Sequence, residues 1–273
     1  LINNGPKLSI DFKGGTLIAV NYTGLIDIND VRTSMEEVDI EGQVFDFSKA
    51  EIKHFGDLSN VALRIASFEN EPDNFTKYLT NKMASLYPDL IPENEDDFIL
   101  SIEKVGPKIG AELRGDAIMA IVSALLLILV YITIRFELKY ALGAIAALSH
   151  DVLVTLGIFS LFGYEISLAV IAAFLTIVGY SLNDTIVIFD RVRENATMLK
   201  KSKLVSVINQ SINDSLSRTI VTSITTFFVV LILFLFGGEV LHTFSFAMII
   251  GVIVGTYSSI FVASPVVIYM DKN

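Results

Sequence analysis

The chain has 273 residues, 52% of them hydrophobic, and a mean hydropathy of +0.60, which is more apolar than an ordinary soluble protein of this length. Its formal net charge of −10 at pH 7 argues against a nucleic-acid partner, since nucleic-acid binding requires a basic face. The absence of cysteine excludes disulfides and thiolate metal sites.

Charge and hydrophobicity divide the chain into two parts. Residues 1–115 hold 11 Lys and Arg against 20 Asp and Glu, a net of −9. Residues 116–273 hold 9 basic and 10 acidic residues together with all the long apolar stretches. The sequence therefore predicts a soluble domain over 1–115 and a transmembrane helical bundle over 116–273.

Short apolar and β-branched runs, interrupted by two helical patterns, make up the first part. The runs at Leu8–Asp11 and Thr16–Tyr22 flank Gly14 and Gly15, a pair that predicts a turn or bulge with positive φ. After them come a helix at Asp27–Val38, strands at Gln43–Phe47 and Asn60–Phe68, a helix at Asn74–Leu86 and a strand at Phe98–Lys104. The order β-α-β-β-α-β is typical of a ferredoxin-like α+β sandwich.

Five stretches of the second part are long enough to cross a bilayer, because a helix spans ~30 Å of hydrocarbon with about 20 apolar residues. We place these spans at 116–134, 140–162, 166–189, 219–236 and 241–270, with a connector of mixed polarity over 190–218. Two pairs of small residues, Gly251 with Gly255 and Gly143 with Ala147, predict close packing between helices.

The loop charges predict the orientation of the spans, because basic loops remain in the cytoplasm. Arg135 and Lys139 follow the first span, and the turns at 163–165 and 237–239 contain no Lys or Arg. Six further basic residues, Arg191, Arg193, Lys200, Lys201, Lys203 and Arg218, lie between the third and fourth spans. Residues 1–115 are thus expected outside the cytoplasm and the carboxyl terminus inside. Since no signal peptide is visible, we expect a further helix before Leu1, for six spans in all.

The third span carries Asn183 and Asp184 inside an apolar helix. An ionisable residue within a membrane is unfavourable by a few kcal/mol or more and marks an ion or proton pathway by default. The alternative is a hydrogen bond between helices, and for Asn183 the two interpretations have equal support. For Asp184 we favour the pathway, because a neutral Asn would connect helices at a lower desolvation cost.

Three other residues in the spans are candidates for the same pathway. His150 and Asp151 are neighbours in the second span, and they form either a hydrogen-bonded strut between helices or a proton relay that titrates near neutral pH. Arg218 lies at the edge of the fourth span. It either anchors the helix at the membrane surface or pairs with a buried carboxylate such as Asp184.

Five motifs resemble, in matching order and spacing, the SecF-like members of the SecD/SecF family, accessory subunits of the bacterial Sec preprotein translocase. They are IDFKGGT at 10–16, VGPKIGAEL at 105–113, HDVLVTLG at 150–157, GYSLNDTIVIFDRVREN at 179–195 and NQSINDSLSRTIVTSITT at 209–226. Together the motifs extend over nearly the whole chain.

The resemblance implies a function that composition alone does not indicate. SecF-like proteins have six spans with an external domain after the first, and they associate with SecD and the SecYEG channel in the bacterial plasma membrane. They are thought to use the proton-motive force to complete the export of unfolded preproteins after SecA has acted. The family's implicated acid and arginine correspond to Asp184 and Arg218. A protein of this family is not an enzyme, and we expect neither a cofactor nor a metal.

Two other functions are compatible with acids inside membrane helices. The first is a proton-coupled efflux transporter of the resistance–nodulation–division type, although one small external domain and few spans argue against a complete pump. The second is an intramembrane aspartyl protease using Asp151 and Asp184, in which the two acids would share a proton. The sequence has no Gly-x-Gly-Asp around either acid, which disfavours the protease.

Overall fold

A computed structural model of the chain describes residues 6–68, 71–72, 74–94, 97–199 and 202–271. The chain forms two compact units. The first is Leu8–Gly115, and the second contains the chain from Asp116 onward together with the segment that ends at Lys7.

The first unit consists of short strands and helices. In chain order, the elements up to Val105 are β1 (Lys7–Leu8), α1 (Ile10–Lys13), β2 (Gly15–Asn21), α2 (Ile28–Ser34), β3 (Val38–Ile40), β4 (Gln43–Phe45), β5 (Glu51–Phe55), β6 (Asp57–Ile65), α3 (Phe75–Leu86), a 3-10 turn (Pro88–Leu90) and β7 (Ile99–Val105). Alternate apolar residues on the strands and inward-facing residues on α2 and α3 supply its core.

A four-stranded antiparallel sheet forms the centre of this unit, in the order β5-β6-β2-β7. Strand β2 pairs with β6 on one side, with Thr16 opposite Ile65, and with β7 on the other. Val61 and Leu63, two residues apart on β6, are both fully buried. They belong to one cluster with Leu79 and Met83 of α3, so the helices cover this face of the sheet.

The second strand of the predicted β-α-β-β-α-β order was assigned to the wrong residues. The predicted strand at Gln43–Phe47 is the short β4, which pairs with β3 in a separate two-stranded ribbon, while the sheet takes β5 at Glu51–Phe55. The sequence of β5 is EIKHF, and Ile52 is its one fully buried side chain. Strand β5 is an edge strand and contains several polar residues. Its sequence therefore looks less like a strand than that of β4 does.

Two other predicted boundaries in this unit were wrong. The run at Leu8–Asp11 enters a helix at Ile10, because the Ser9 hydroxyl accepts a hydrogen bond from the Asp11 amide at 3.2 Å and caps α1. Helix α2 ends at Ser34, and Val38 belongs to β3. The predicted turn is confirmed, since Gly14 and Gly15 have φ values of 74° and 139°.

Long helices form the second unit, although the first of them begins before the boundary between the units. They are α4 (Pro107–Arg135), α5 (Leu138–Phe162), α6 (Leu168–Met198), α7 (Leu204–Phe236), α8 (Gly238–Ser258), a π-helix (Ser259–Ala263) and α9 (Ser264–Asp271), with strand β8 (Glu165–Ile166) before α6. Five segments of these helices are long and apolar enough to cross a membrane, which confirms the prediction of five spans.

Helical structure extends far into the connector predicted at 190–218. Helix α6 continues to Met198 and α7 begins at Leu204. The Asn195 amide of α6 donates to Ser211 at 3.0 Å and to Asp214 at 2.9 Å, so the two helices remain attached beyond their apolar parts. Lys200 and Lys201, two of the basic residues used for the orientation, lie outside the described residues.

Truncation of a buried leucine on β6 tests the core of the first unit. Leu63 is fully buried, whereas Leu58 on the same strand is 59% exposed. We expect Leu63→Ala to lower the free energy of unfolding by about 2–5 kcal/mol, because it removes buried methyl groups and leaves a cavity. Leu58→Ala, the matched control, changes it by about 0.5 kcal/mol or less. Hydrogen exchange of the β2 and β6 backbone amides measures the change in the free energy of unfolding for both variants. Similar exchange rates in the two variants would contradict the assignment of Leu63 to the core.

Candidate functional site

Helix α6 packs directly against α8, and small residues allow this close contact. A methyl group added at Gly251 would overlap the side chain of Ile177, and one added at Gly255 would lie 3.0 Å from Cβ of Ser181. This is the close packing that the spacing of the two glycines predicted. It places Ser181, near the middle of α6, close to α8.

Asp151 of α5 lies at the centre of this polar region and is completely buried. Its Oδ2 accepts hydrogen bonds from Ser181 of α6 at 2.6 Å and from Ser258 of α8 at 2.8 Å. Its Oδ1 lies 3.1 Å from Nδ1 of His150, the preceding residue. One carboxylate therefore connects three helices and contacts a histidine.

Further hydroxyl groups extend the polar region into the π-helix. Thr185 Oγ1 of α6 lies 2.9 Å from Ser259 Oγ, and Ser259 also donates to the Gly255 carbonyl at 2.9 Å. π-Helical turns are rare and often occur at functional sites. The π-helix of this chain starts at Ser259, within the polar region.

Asp184 lies one turn after Ser181 on α6, and only 3% of its surface is exposed. Its Oδ2 atom is buried and has no hydrogen-bond partner among the residues that the structure describes. The groups that act on the carboxylate are on α7, namely the Ser223 hydroxyl and the positive charge of Arg218. Because nearly all buried polar atoms are hydrogen-bonded, this oxygen atom is a candidate for binding a proton.

Arg218 acts on Asp184 without direct contact. Among the described side chains, no ion pair of 4.0 Å or less joins the two residues. The structure therefore lacks the direct salt bridge that was one alternative for Arg218. Its positive charge acts on the carboxylate over a longer distance.

A polar cavity of about 840 Å³ lies next to Asp184, with Asn183 of α6 and Arg218 of α7 in its wall. The other charged residues of the wall are Arg135, Asp190, Arg191, Arg193, Glu194 and Asp214. Asn183 is exposed, whereas the adjacent Asp184 is buried. A polar cavity of this size holds water, so water reaches the residue that precedes the buried carboxylate.

The two aspartates do not form the shared-proton pair that an aspartyl protease needs. Over the ranges the structure describes, no hydrogen bond joins Asp151 to Asp184, and Asp151 is bonded to Ser181 and Ser258 instead. The same ranges contain no group of three or more His, Asp or Glu side chains that could hold a metal ion.

Sequence reasoning missed the serines and threonines that surround the two aspartates on α7, α8 and the π-helix. Single hydroxyl residues in an apolar helix give little signal, because hydropathy does not show which residue of another helix each one contacts. One usable signal was present, since Ser259 continues the four-residue spacing of Gly251 and Gly255. The ridge of small residues therefore pointed to the hydroxyl group that contacts Thr185.

Comparison with known proteins identifies relatives along the whole chain. Residues 90–273 match the family described as protein export membrane protein SecD/SecF, C-terminal. The protein translocase subunit SecF of Calditerrivibrio nitroreducens is 44% identical over 100% of this chain and 86% of its own length. The subunit of the same name from Rhodothermus marinus is 45% identical over 98% of this chain and 84% of its own.

Two solved structures resemble the chain at 36% identity over 98% of its length. The crystal structure of SecDF, a translocon-associated membrane protein from Thermus thermophilus, superposes with a TM-score of 0.82. A structure of SecDF in a super-membrane-facing form superposes with a TM-score of 0.66. The chain spans 35% of the SecDF chain in each case.

Substitution of Gly251 tests the contact between α6 and α8. We expect Gly251→Ala to destabilise the bundle by about 1–3 kcal/mol, because the added methyl group overlaps Ile177 in a packed interface. Gly157→Ala on α5 is the matched control, since its added methyl group meets no atom within 4 Å. Thermal unfolding of the detergent-purified proteins compares the two. An unchanged melting temperature for Gly251→Ala would contradict the contact.

Proposed function

The chain belongs to the SecD/SecF family of protein export membrane proteins and is a subunit of the Sec protein translocase; on this premise we propose that proton movement past Asp184 drives protein export. The subunit works with SecD and the SecYEG channel in the bacterial inner membrane and completes the export of an unfolded preprotein. The solved relative is a SecDF chain described as translocon-associated, which supports these partners.

The observation that carries the proposal is the buried Asp184 carboxylate, whose Oδ2 is hydrogen-bonded to nothing in the described part of the chain. A protonated carboxyl group is neutral, and an ionised one carries a full charge into an apolar environment. Each change of state therefore alters the local electrostatic energy strongly. A fully hydrogen-bonded structural aspartate would have both oxygen atoms occupied.

Arg218 converts the change of charge into a force between helices. Its positive charge attracts an ionised Asp184 but not a protonated one, so proton uptake weakens the attraction between α6 and α7. One charge that crosses a potential of 100 mV gains ~2.3 kcal/mol, enough to shift two conformations of similar free energy.

The polar cavity supplies a route between Asp184 and one side of the membrane. It extends from Asn183 to the charged residues at the carboxyl end of α6, and water within it can exchange protons with solvent. Asn183 orients this water next to Asp184. In this role Asn183 belongs to the pathway rather than to a contact between helices.

The ion pairs at one end of the bundle support a cytoplasmic location for that end. Arg135 at the end of α4 pairs with Asp190 of α6 at 3.0 Å, and Lys139 at the start of α5 pairs with Asp271 of α9 at 2.9 Å. By the positive-inside rule, this basic end and the carboxyl terminus face the cytoplasm. Residues 1–115 are then outside it, and 116–273 form the multi-pass bundle.

The external domain has a ferredoxin-like fold in this proposal. The sheet order β5-β6-β2-β7, in which β2 and β5 flank β6, is that expected of a split βαβ sandwich. The domain contacts the emerging preprotein through shape and apolar groups, without sequence specificity. Two SecDF structures superpose with TM-scores of 0.82 and 0.66 at equal identity, which supports a change of shape in this family.

Asp184→Asn tests the coupling role. In inverted membrane vesicles that contain the complete subunit and its SecD partner, we expect the variant to lose the stimulation of export by a proton gradient. The amide cannot change its charge, while its size is nearly that of the acid. The measurement is export of a secreted reporter with and without the gradient, at equal complex abundance.

Glu137→Gln is the matched control for Asp184→Asn, because it also replaces a carboxylate by an amide but lies outside the cavity wall. Glu137 is exposed and pairs with Lys139 at 3.0 Å at the surface, so its loss has little effect. If Asp184→Asn retains the full gradient dependence of wild type, Asp184 is a structural residue and the proposal fails.

Two substitutions of Arg218 separate its charge from its shape. Arg218→Lys keeps the positive charge that acts on Asp184, whereas Arg218→Gln removes it. We expect Arg218→Gln to lose the gradient-dependent stimulation in the same vesicles and Arg218→Lys to retain a measurable part of it. Equal loss in both variants would show that the guanidinium shape, rather than the charge, is required.

A further inference from the structure

The carboxylate of Asp151 joins three helices at a single oxygen atom. Ser181 of α6 and Ser258 of α8 both donate to Oδ2, at 2.6 and 2.8 Å, and Asp151 itself belongs to α5. All three residues are completely buried. This set of bonds is distinct from the groups around Asp184, which lie on α7.

The bonds at Oδ2 depend on the charge state of Asp151. An ionised carboxylate only accepts hydrogen bonds, so one oxygen atom can accept from both hydroxyl groups. A protonated carboxyl group is neutral, and its oxygen atoms are weaker acceptors than those of a carboxylate. When the hydrogen bonds to Oδ2 weaken, a serine can turn to another acceptor. Ser258 already lies 3.2 Å from the Gly255 carbonyl, which gives it such an alternative within α8.

His150 connects this buried carboxylate to the outside of the bundle. The His150 side chain is 33% exposed, whereas that of Asp151 is 1% exposed, and Nδ1 lies 3.1 Å from Oδ1. The neighbouring groups from the other helices are the hydroxyls of Ser181 and Ser258 and the Tyr257 ring, whose centre is 6.3 Å from that of His150. In the described chain, His150 is thus the titratable side chain that is hydrogen-bonded to Asp151.

We propose that His150 and Asp151 form a second proton-binding site, and that a proton on Asp151 weakens the hydrogen bonds that hold α6 and α8 to α5. The proton passes from Nδ1 of a protonated His150 ring to Oδ1 of the carboxylate, so both side chains become neutral, and the new carboxyl hydrogen is donated back to Nδ1. Oδ2 is then the carbonyl oxygen of a neutral carboxyl group, a weaker acceptor for the hydroxyls of Ser181 and Ser258. No other group changes its charge.

The weakened bonds lie next to Asp184, so the inference extends the proton-coupling role proposed for that residue. Ser181 precedes Asp184 by one turn on α6. Ser258 is followed by Ser259, which contacts Thr185, the residue after Asp184. A change in the bonds of Asp151 therefore acts on the same turn of α6 that carries Asp184.

The hydroxyl groups do not form a continuous proton wire between the two aspartates. Thr185 donates to the Ser181 carbonyl at 3.2 Å, and Ser259 donates to carbonyl groups of Gly255 and Ser181. Backbone carbonyls cannot pass a proton onward. The two sites consequently influence each other through the position of α6, and each exchanges protons by its own route.

Infrared difference spectroscopy between low and high pH detects protonation of Asp151 directly. The sample is the full-length subunit in complex with SecD, in lipid bilayers, and the signal is the carbonyl band of a protonated carboxylic acid. We expect one such band to disappear in Asp151→Asn and to remain in Asp184→Asn. His150→Gln should slow its appearance after a pH jump, because the proton donor is absent.

Serine substitutions distinguish a proton-binding site from a permanently ionised strut. In Ser181→Ala and Ser258→Ala the band of Asp151 should shift, because the hydrogen bonding of the carboxyl group changes. Ser245→Ala is the matched control, since Ser245 is also completely buried on α8 but is not bonded to Asp151. Should Asp151→Asn fail to assemble, Asp151→Glu keeps the acid, and a shift of the same band identifies it.

Two outcomes would overturn the inference. Identical carboxylic-acid bands in wild type and Asp151→Asn would show that Asp151 does not bind a proton. A band that is lost in Asp151→Asn but is insensitive to both serine substitutions would show that the three-helix bonds are not coupled to it. Failure of the Asp184 proposal is separate, because it is measured as gradient-dependent export in Asp184→Asn.

Discussion

The requirement to satisfy a buried carboxylate determines how helices α5, α6 and α8 pack. An ionised group in an apolar interior is unfavourable by several kcal/mol unless it is paired and hydrogen-bonded. Asp151 meets this requirement with hydroxyl groups from two other helices, which must approach closely to reach one oxygen atom. Gly251 and Gly255 permit that approach, because they place no side chain between α8 and α6. The glycine ridge and the hydrogen bonds of Asp151 are therefore two parts of one constraint.

The two acids in the bundle occupy contrasting environments. Asp151 is bonded at both oxygen atoms and connects three helices. Asp184 has one buried oxygen that is bonded to none of the described residues. Asp184 also lies near the positive charge of Arg218 and next to a polar cavity. Titratable groups in such different environments respond differently to a change of charge, and the two aspartates are therefore separate sites.

Much of this architecture could be predicted from the sequence, because apolar stretches of about 20 residues have few structural alternatives in a membrane protein. Asp184 and Asp151 were also visible, since an acid within an apolar helix stands out. Edge strand β5 was missed because its EIKHF sequence has the polar composition of an exposed strand. Ser258, which bonds to Asp151 from α8, was missed for another reason: its role depends on which helix lies opposite, and a single sequence does not encode that pairing locally.

The π-helix shows how a change at either acid could reach the end of the bundle. Ser259 is its first residue and contacts both Thr185 of α6 and the Gly255 carbonyl of α8. Ala263 is its last residue, and its carbonyl lies where a side chain at Gly143 of α5 would be, so no larger residue fits there. Because a π-helical turn is wider than an α-helical one and its hydrogen bonds are easily exchanged, it can absorb a small rotation of α8. The helix that follows, α9, ends at Asp271, which is paired with Lys139. The contacts of the π-helix thus form a continuous connection from the residues beside Asp151 and Asp184, through α9, to the charged end of the bundle.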